Sequence, residues 1–252
     1  MYLKLNNLEY AYSGKGKFHL GPLNLSFFTN ETTALVGSNG SGKTTLIKIL
    51  LQQLVRFQGD YCIDDVAVRD FTGSIMHQFG IGYAPEFPLL DEKLTGLEML
   101  HIIKEIYSID TAVFDERLKQ LSSLLQVENW LETSPCGDYS QGMRKKVSLM
   151  IAFMSAKRYL IIDEPTNGLD PLAIFGLKKL LIQYTNDGLG VLVSSHMLDF
   201  VEKVATSIII LRKGQQIFAG KVTSLLEQNP GKQLDEIYYE MFTSSAGVGE
   251  QK

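Results

Sequence analysis

Gly37-Ser38-Asn39-Gly40-Ser41-Gly42-Lys43-Thr44 follows the pattern G-x-x-x-x-G-K-[ST] of a phosphate-binding loop. Its glycines let the backbone curl until the N–H groups converge on an anion. A helix starting there adds its unpaired N–H groups and the positive end of its dipole. Lys43 can then reach the β- and γ-phosphates of a nucleotide, and the Thr44 hydroxyl can bind Mg²⁺. Further along, the apolar run Tyr159-Leu160-Ile161-Ile162 ends in two acids, Asp163 and Glu164. Side chains alternate along a strand, so the two carboxylates are expected to point different ways, one toward a metal and one toward a water. With a phosphate loop upstream, a metal role is favoured over a polar turn, because Mg²⁺ at such a loop needs a carboxylate. Ser194-Ser195-His196 ends a third apolar run, Val191-Leu192-Val193. Glu86 follows a fourth, after Pro85. Both lie at C-terminal strand ends, where open α/β sheets bind ligands. By spacing alone, a hydrogen-bonded strand-end histidine and a solvated loop carboxylate remain open alternatives.

These residues need strands and helices to hold them. Residues 33–36 read as a short buried strand before the loop. The helix after it has Leu46, Ile47, Leu50, Leu51 and Leu54 on one stripe. Residues 2–12 and 18–29 read as two strands joined by a turn over residues 13–17. Tyr12 ends the first of them and reads, by spacing, as an aromatic packing on its neighbours. Residues 88–156 turn helical. Thr95-Gly96-Leu97-Glu98 is a capping box, followed by a stripe of Met99, Ile102, Ile103 and Ile106, with His101 on the polar face. A second helix follows Asp110. A third follows Tyr139-Ser140-Gln141-Gly142-Met143, where Ser140 is a good N-cap. There Gly142 is expected to leave the first turn open, and Arg144, Lys145 and Lys146 to add positive charge, so that the helix terminus is ready for phosphate. Asp170 caps another helix with Pro171 at its first position. A hairpin crosses Lys213-Gly214. Beyond Lys221 the chain reads as polar except for one amphipathic stretch over residues 234–242, and residues 243–252 read as disordered.

Composition narrows the field. The 252 residues are 45% apolar, enough for a sizeable core, and the net charge of -4 offers no basic footprint for nucleic acid. Cys62 and Cys136 share no metal or redox spacing and read as ordinary thiols. No signal-peptide pattern opens the chain, and no apolar run approaches the ~20 residues that span a bilayer. A cytoplasmic protein is expected, with any membrane role requiring a separate partner.

Taken in order, the motifs resemble the ATP-binding subunits of ABC transporters, from Tyr12 to about Phe242. Residues 37–44 match the Walker A loop, residues 139–143 the ABC signature, residues 160–163 Walker B and Glu164 the catalytic carboxylate that follows. Gly168-Leu169-Asp170 resembles the D-loop and His196 the switch histidine. The resemblance implies an α/β P-loop NTPase core of the RecA-like kind, with an N-terminal antiparallel β subdomain and an inserted α-helical subdomain. In that reading one ABC ATPase domain covers residues 1–222, with the helical part at about 88–156, and a C-terminal extension covers 223–252. It also implies ATP and Mg²⁺ as cofactors. Nucleotide contacts would come from Tyr12, as the adenine-stacking aromatic, and from Gly37, Ser38, Asn39, Gly40, Ser41, Gly42, Lys43, Thr44 and Thr45. Ser140, Gly142 and Asp170 would serve the nucleotide of a second ATP-binding subunit. Thr44, Asp163 and Glu86 would hold Mg²⁺, while Glu164, His196 and Lys43 act in hydrolysis. An integral-membrane permease is the other implied partner. Two departures stand out: the signature reads Tyr-Ser-Gln-Gly-Met rather than L-S-G-G-Q, and Glu86 replaces the usual Q-loop glutamine. Both resemble an exporter-associated bacterial subgroup whose permeases are separate chains. A non-transport ABC protein that clamps a partner is the main alternative. The Ser140 motif argues against a P-loop kinase, and the lack of an N-K-x-D motif argues against a GTPase.

Overall fold

The computed structural model describes residues 2–13, 18–70 and 73–243. Most of the expected turn at 13–17 and all of the expected tail beyond 243 lie outside the described residues. Strands β1 (Tyr2–Ala11) and β2 (His19–Phe28) pair antiparallel. Leu3, Leu5 and Leu8 of β1 all face inward, because an irregularity between Leu5 and Leu8, with Asn7 at φ 47°, shifts the alternation. After β3 (Thr32–Val36) and helix α1 (Lys43–Leu50) come β4 (Gln58–Ile63) and β5 (Val66–Ala67). They complete an antiparallel sheet of order β2-β1-β4-β5.

A short helix α2 (Ile75–Phe79) leads into β6 (Ile81–Ala84). Four helices follow: α3 (Gly96–Ile106), α4 (Thr111–Leu124), α5 (Trp130–Thr133) and α6 (Gln141–Ser155). Then come β7 (Tyr159–Asp163), α7 (Pro171–Asn186), β8 (Gly190–Ser195), α8 (Leu198–Val204) and the hairpin β9 (Ser207–Arg212) and β10 (Gln215–Lys221). The chain closes with α9 (Val222–Glu227) and α10 (Leu234–Thr243). The second sheet has the order β10-β9-β3-β8-β7-β6, parallel throughout except for β10. Its inner strands are buried on both faces, which is why they read as unbroken apolar runs.

One face of this sheet, through Leu35, Ile161, Leu192 and Ile209, shares a core with α1 and with the inward leucines of the antiparallel sheet. The other face, through Val36, Leu160, Ile162 and Val193, packs with residues of α6, α7 and α8. Helix α1 therefore lies between two sheets, and Leu46, Ile47, Ile49 and Leu50 are all buried. The single stripe expected from the sequence is too narrow, and Leu54 lies beyond the helix end.

Helix α3 opens with the expected capping box, but its buried line differs from the expected stripe. Gly96 is packed under Leu131, Val147 and the Tyr139 hydroxyl. That contact turns Gly96 and Leu100 inward and leaves Ile102 and Ile106 exposed. The segment after Lys221 is less polar in effect than it reads, since Val222, Leu225, Leu234 and Ile237 join the main core. Thr243 closes α10 rather than opening a tail. Among the described residues no helix is long and apolar enough to cross a membrane.

The approach of β6 to α6 has no slack. A Cβ on Gly82 would lie 2.0 Å from the Ala152 carbonyl oxygen. Gly82→Ala is therefore expected to lower the unfolding free energy by about 1–3 kcal/mol, measured by urea denaturation.

Candidate functional site

Strands β3, β8 and β7 are neighbours running the same way, with Val36 paired to Ser195 and Asp163 to Ser194. Their C-terminal ends therefore meet at one edge. The loop after β3, His196 after β8 and Glu164 after β7 converge on a cleft of about 460 Å³, lined also by Tyr12, Phe18, Glu86 and Asn167. Of the residues singled out from the sequence, Tyr12, Ser38 to Thr45, Glu86, Glu164 and His196 line this cleft.

The loop is shaped by backbone requirements. A Cβ on Gly37 would sit 2.5 Å from the Leu211 carbonyl oxygen, and Gly42, at φ 113°, takes the N-cap position of α1 in the left-handed region. With glycine there, no side chain caps α1, and its first N–H groups are left for a ligand. Lys43 is buried; its Nζ donates to the Gly37 carbonyl at 2.7 Å and lies 3.4 Å from Glu164 Oε1. Glu164 Oε2 lies 2.8 Å from His196 Nδ1. Lys43, Glu164 and His196 thus form a continuous chain of charged and titratable groups across the floor of the cleft.

Asp163 is held separately. Its Oδ2 accepts from the Thr44 hydroxyl at 3.3 Å, and its Oδ1 accepts a short hydrogen bond from Ser194 Oγ. Ser194 Oγ also accepts from the Glu164 backbone N–H at 2.9 Å. The alternation expected of the two acids does not extend to Glu164, because β7 ends at Asp163 and Glu164 has φ 45°. Both carboxylates turn toward the phosphate loop, one to Thr44 and one to Lys43. The oxygen donors of Thr44 and Asp163 suit Mg²⁺ and leave positions for phosphate and water, the mode in which this ion is usually bound. At the cleft mouth the Tyr12 hydroxyl is 3.4 Å from Thr45 Oγ1, and its ring stands edge-on to Tyr10 at 5.0 Å.

Ser140, Gly142 and Asp170 do not line this cleft. Ser140 caps α6 by accepting from Met143 N–H at 3.2 Å. A Cβ on Gly142 would lie 2.5 Å from the Gly168 carbonyl oxygen, so this glycine admits a close contact within the chain. The expected basic cluster at this helix start does not form. Arg144 donates to the Gly137 and Tyr139 carbonyls. Lys146 pairs with Asp170 at 2.9 Å, and this hydrogen bond, followed by one from Ala173 N–H, holds the Asp170 carboxyl below its usual range.

Lys145 is buried inside the protein. Its Nζ donates to the carbonyls of Asp163 (2.8 Å), Pro85 (2.9 Å) and Glu86 (3.4 Å). Burial pulls its ammonium down to about 8, against the opposing pull of Asp163, Glu86 and Glu164. The basic run hid this residue. Helical phase was the available signal, since Lys145 shares a face with the buried Ser148, Leu149 and Ala152. Ser194, Phe18 and Asn167 had no local signal in the sequence. Neither did Tyr238 of α10, whose phenol is pushed up by burial and pulled back by Arg212 and by a hydrogen bond from the Ser38 backbone.

The family described as ABC transporter matches residues 20–167. The chain is 33% identical over 220 residues, 86% of it and 88% of the relative, to the ABC-type transporter ATP-binding protein EcsA of Bacillus subtilis. It is 27% identical over 236 residues, 94% and 95% of the two chains, to the lantibiotic transport ATP-binding protein SrtF of Streptococcus pyogenes. A solved ATP-binding subunit of an ABC transporter superposes with a TM-score of 0.85 at 31% identity, covering 96% of this chain and 100% of that one.

Ser194 joins the ends of two strands through its side chain. Ser194→Ala leaves an Asp163 oxygen without its buried donor and is expected to cost about 1–3 kcal/mol of stability, read from the shift of the urea midpoint at constant slope.

Proposed function

The chain belongs to the ABC transporter ATP-binding family, whose members hydrolyse ATP, and from that premise we propose that it drives a separate membrane permease by binding and hydrolysing Mg-ATP in a dimer of ATP-binding subunits. The observation that most supports the reading is the chain of contacts from the buried Lys43 and Glu164 out to the exposed His196, beside an uncapped helix start.

The triphosphate lies along residues 37–45, with the adenine against Tyr12. Lys43 exchanges its contact with the Gly37 carbonyl for the β- and γ-phosphates. Thr44 and Asp163, with Glu86, would hold Mg²⁺, which would neutralise phosphate charge. Glu164 accepts the proton of the water that attacks the γ-phosphorus, as the bond to the β-phosphate oxygen breaks and ADP leaves. His196, oriented by Glu164, donates toward the γ-phosphate. Catalysis of this kind is mostly positioning and electrostatic stabilisation. Ser140, Gly142 and Asp170 turn away from their own cleft and act on the nucleotide of the second subunit.

The permease docks beside the Glu86 segment and α3, where Phe87 (68% exposed), Leu89 (95%), Ile102 and Ile106 present apolar side chains to a helix of the membrane protein. The subunit is thereby held at the cytoplasmic face of the membrane. Export is the favoured direction, given the Tyr-Ser-Gln-Gly-Met signature, Glu86 and the similarity to a protein named for lantibiotic transport.

Glu164→Gln is expected to bind Mg-ATP with near wild-type affinity and to lose about 10²–10⁴-fold in kcat, because an amide cannot take the proton. Titration calorimetry and a phosphate-release assay test this. Near-normal turnover would assign the base to another group. With hydrolysis blocked, Glu164→Gln should also elute as a dimer in gel filtration with Mg-ATP, whereas adding Ser140→Arg should keep it monomeric. Dimerisation of the double variant would remove Ser140 from the interface.

A further inference from the structure

Strands β6 and β7 remain paired as far as Ala84 and Ile162. Just beyond, the chains diverge, and the carbonyls of Pro85, Glu86 and Asp163 lose the sheet partners that the ladder would have supplied. Lys145, five residues past the Ser140 cap of α6, enters this gap at 1% exposure. An ammonium has three donors, and here each meets one of these carbonyls. A buried charge persists only when its hydrogen bonds are met and opposite charge is near. Asp163, Glu86 and Glu164 supply the opposite charge.

The three carbonyls belong to two segments with different tasks. Asp163 ends the strand whose carboxylate meets Thr44, and Glu86, which lines the cleft, stands just before the exposed Phe87 and Leu89. Among the described residues, the Lys145 ammonium is what ties the Glu86 backbone to the end of β7. We propose that Lys145 is a positioning residue for hydrolysis: its ammonium fixes the Glu86 segment to the end of the Asp163 strand and so sets the placement of Glu86 relative to Asp163 and Glu164. The inference rests on the ATPase reading above. It adds a residue outside the nucleotide cleft, on the helix whose N-terminus serves the second subunit. It also gives a physical reason why a carboxylate is tolerated at position 86, where a fixed cation lies behind its backbone.

The test uses the full chain as wild type, Lys145→Met, Glu86→Gln and the double variant. Lys145→Met is expected to keep the KM for Mg-ATP within about twofold and to lose about tenfold or more in kcat. Without nucleotide, the peptide containing Glu86 and Phe87 should exchange backbone hydrogen faster than in wild type, while the phosphate-loop peptide is unchanged. In the Glu86→Gln background, adding Lys145→Met should cost less than about threefold further, because a shared mechanism makes the two changes non-additive. Unaltered kcat, unaltered exchange, a change confined to KM, or losses that multiply fully in the double variant would overturn the proposal. If Lys145→Met does not fold, Lys145→Gln takes its place, since its amide can donate to two of the three carbonyls. A smaller loss with the same exchange signature is then expected, and wild-type behaviour overturns the role. Because exchange is read without turnover, the two claims separate. A wild-type chain that fails to hydrolyse Mg-ATP removes the ATPase reading and the role with it. Normal wild-type turnover beside unaltered variants removes the role alone.

Discussion

Thr44 and Asp163 stand 119 positions apart in the chain, yet the hydroxyl of one meets the carboxylate of the other. That contact depends on β8 lying between β3 and β7, in a register that sets Ser194 against Asp163 and Ser195 against Val36. Moving β8 by one residue would turn Ser194 to the opposite face. The hydroxyl that holds Asp163 and the Glu164 backbone would then be lost from the site. The parallel ladder thus acts as the ruler against which the phosphate loop, the two acids and His196 are all set.

The ruler is rigid because both faces of the sheet are covered. Helix α1 is enclosed by two sheets, so the loop that precedes it cannot shift without disturbing Leu46, Ile47 and Ile49. Among the described residues, four charged ones are buried in this frame: Lys43, Lys145, Asp163 and Glu164. Each would be costly alone. They are tolerable because each cation lies among carbonyls and acids, with Lys43 against Gly37 and Glu164, and Lys145 against the carbonyl of Asp163. A nucleotide's phosphates would compete with Glu164 for Lys43, whose ammonium lies against the Gly37 carbonyl of the phosphate loop.

What was legible in the sequence was whatever is encoded locally. The phosphate loop, the strand that ends at Asp163, the Thr95 capping box and the Asp170 cap each fix their geometry within a few residues, and each appears in the structure. Features set by distant packing were missed or misdrawn. The stripe on α1 is buried as read but is too narrow, since Ile49 is buried as well and burial comes from two sheets. The stripe on α3 failed because Gly96 decides which side of the helix turns inward. Lys145 reads in sequence as one of three adjacent cations, and only its helical phase, shared with Ser148, Leu149 and Ala152, marks it as buried. Ser194 looked like a polar strand end, since nothing near it in sequence reveals the acid opposite.

The surface that would face a second subunit and the machinery of the chain's own site are built on shared elements. Gly142 presses on the Gly168 carbonyl, and Lys146 pairs with Asp170, so the start of α6 and the loop before α7 are fastened together. That same loop springs from Glu164, whose other contacts are Lys43 and His196. Five residues after Ser140, α6 turns from surface to interior, and there Lys145 reaches the backbone of Glu86 and Asp163. A displacement of Ser140 by a partner's nucleotide would therefore be felt at the strand end that meets Thr44 and at the segment leading to Phe87 and Leu89. In the proposed dimer, coupling between the two sites and the permease needs no flexible relay, since one stiff helix joins the three.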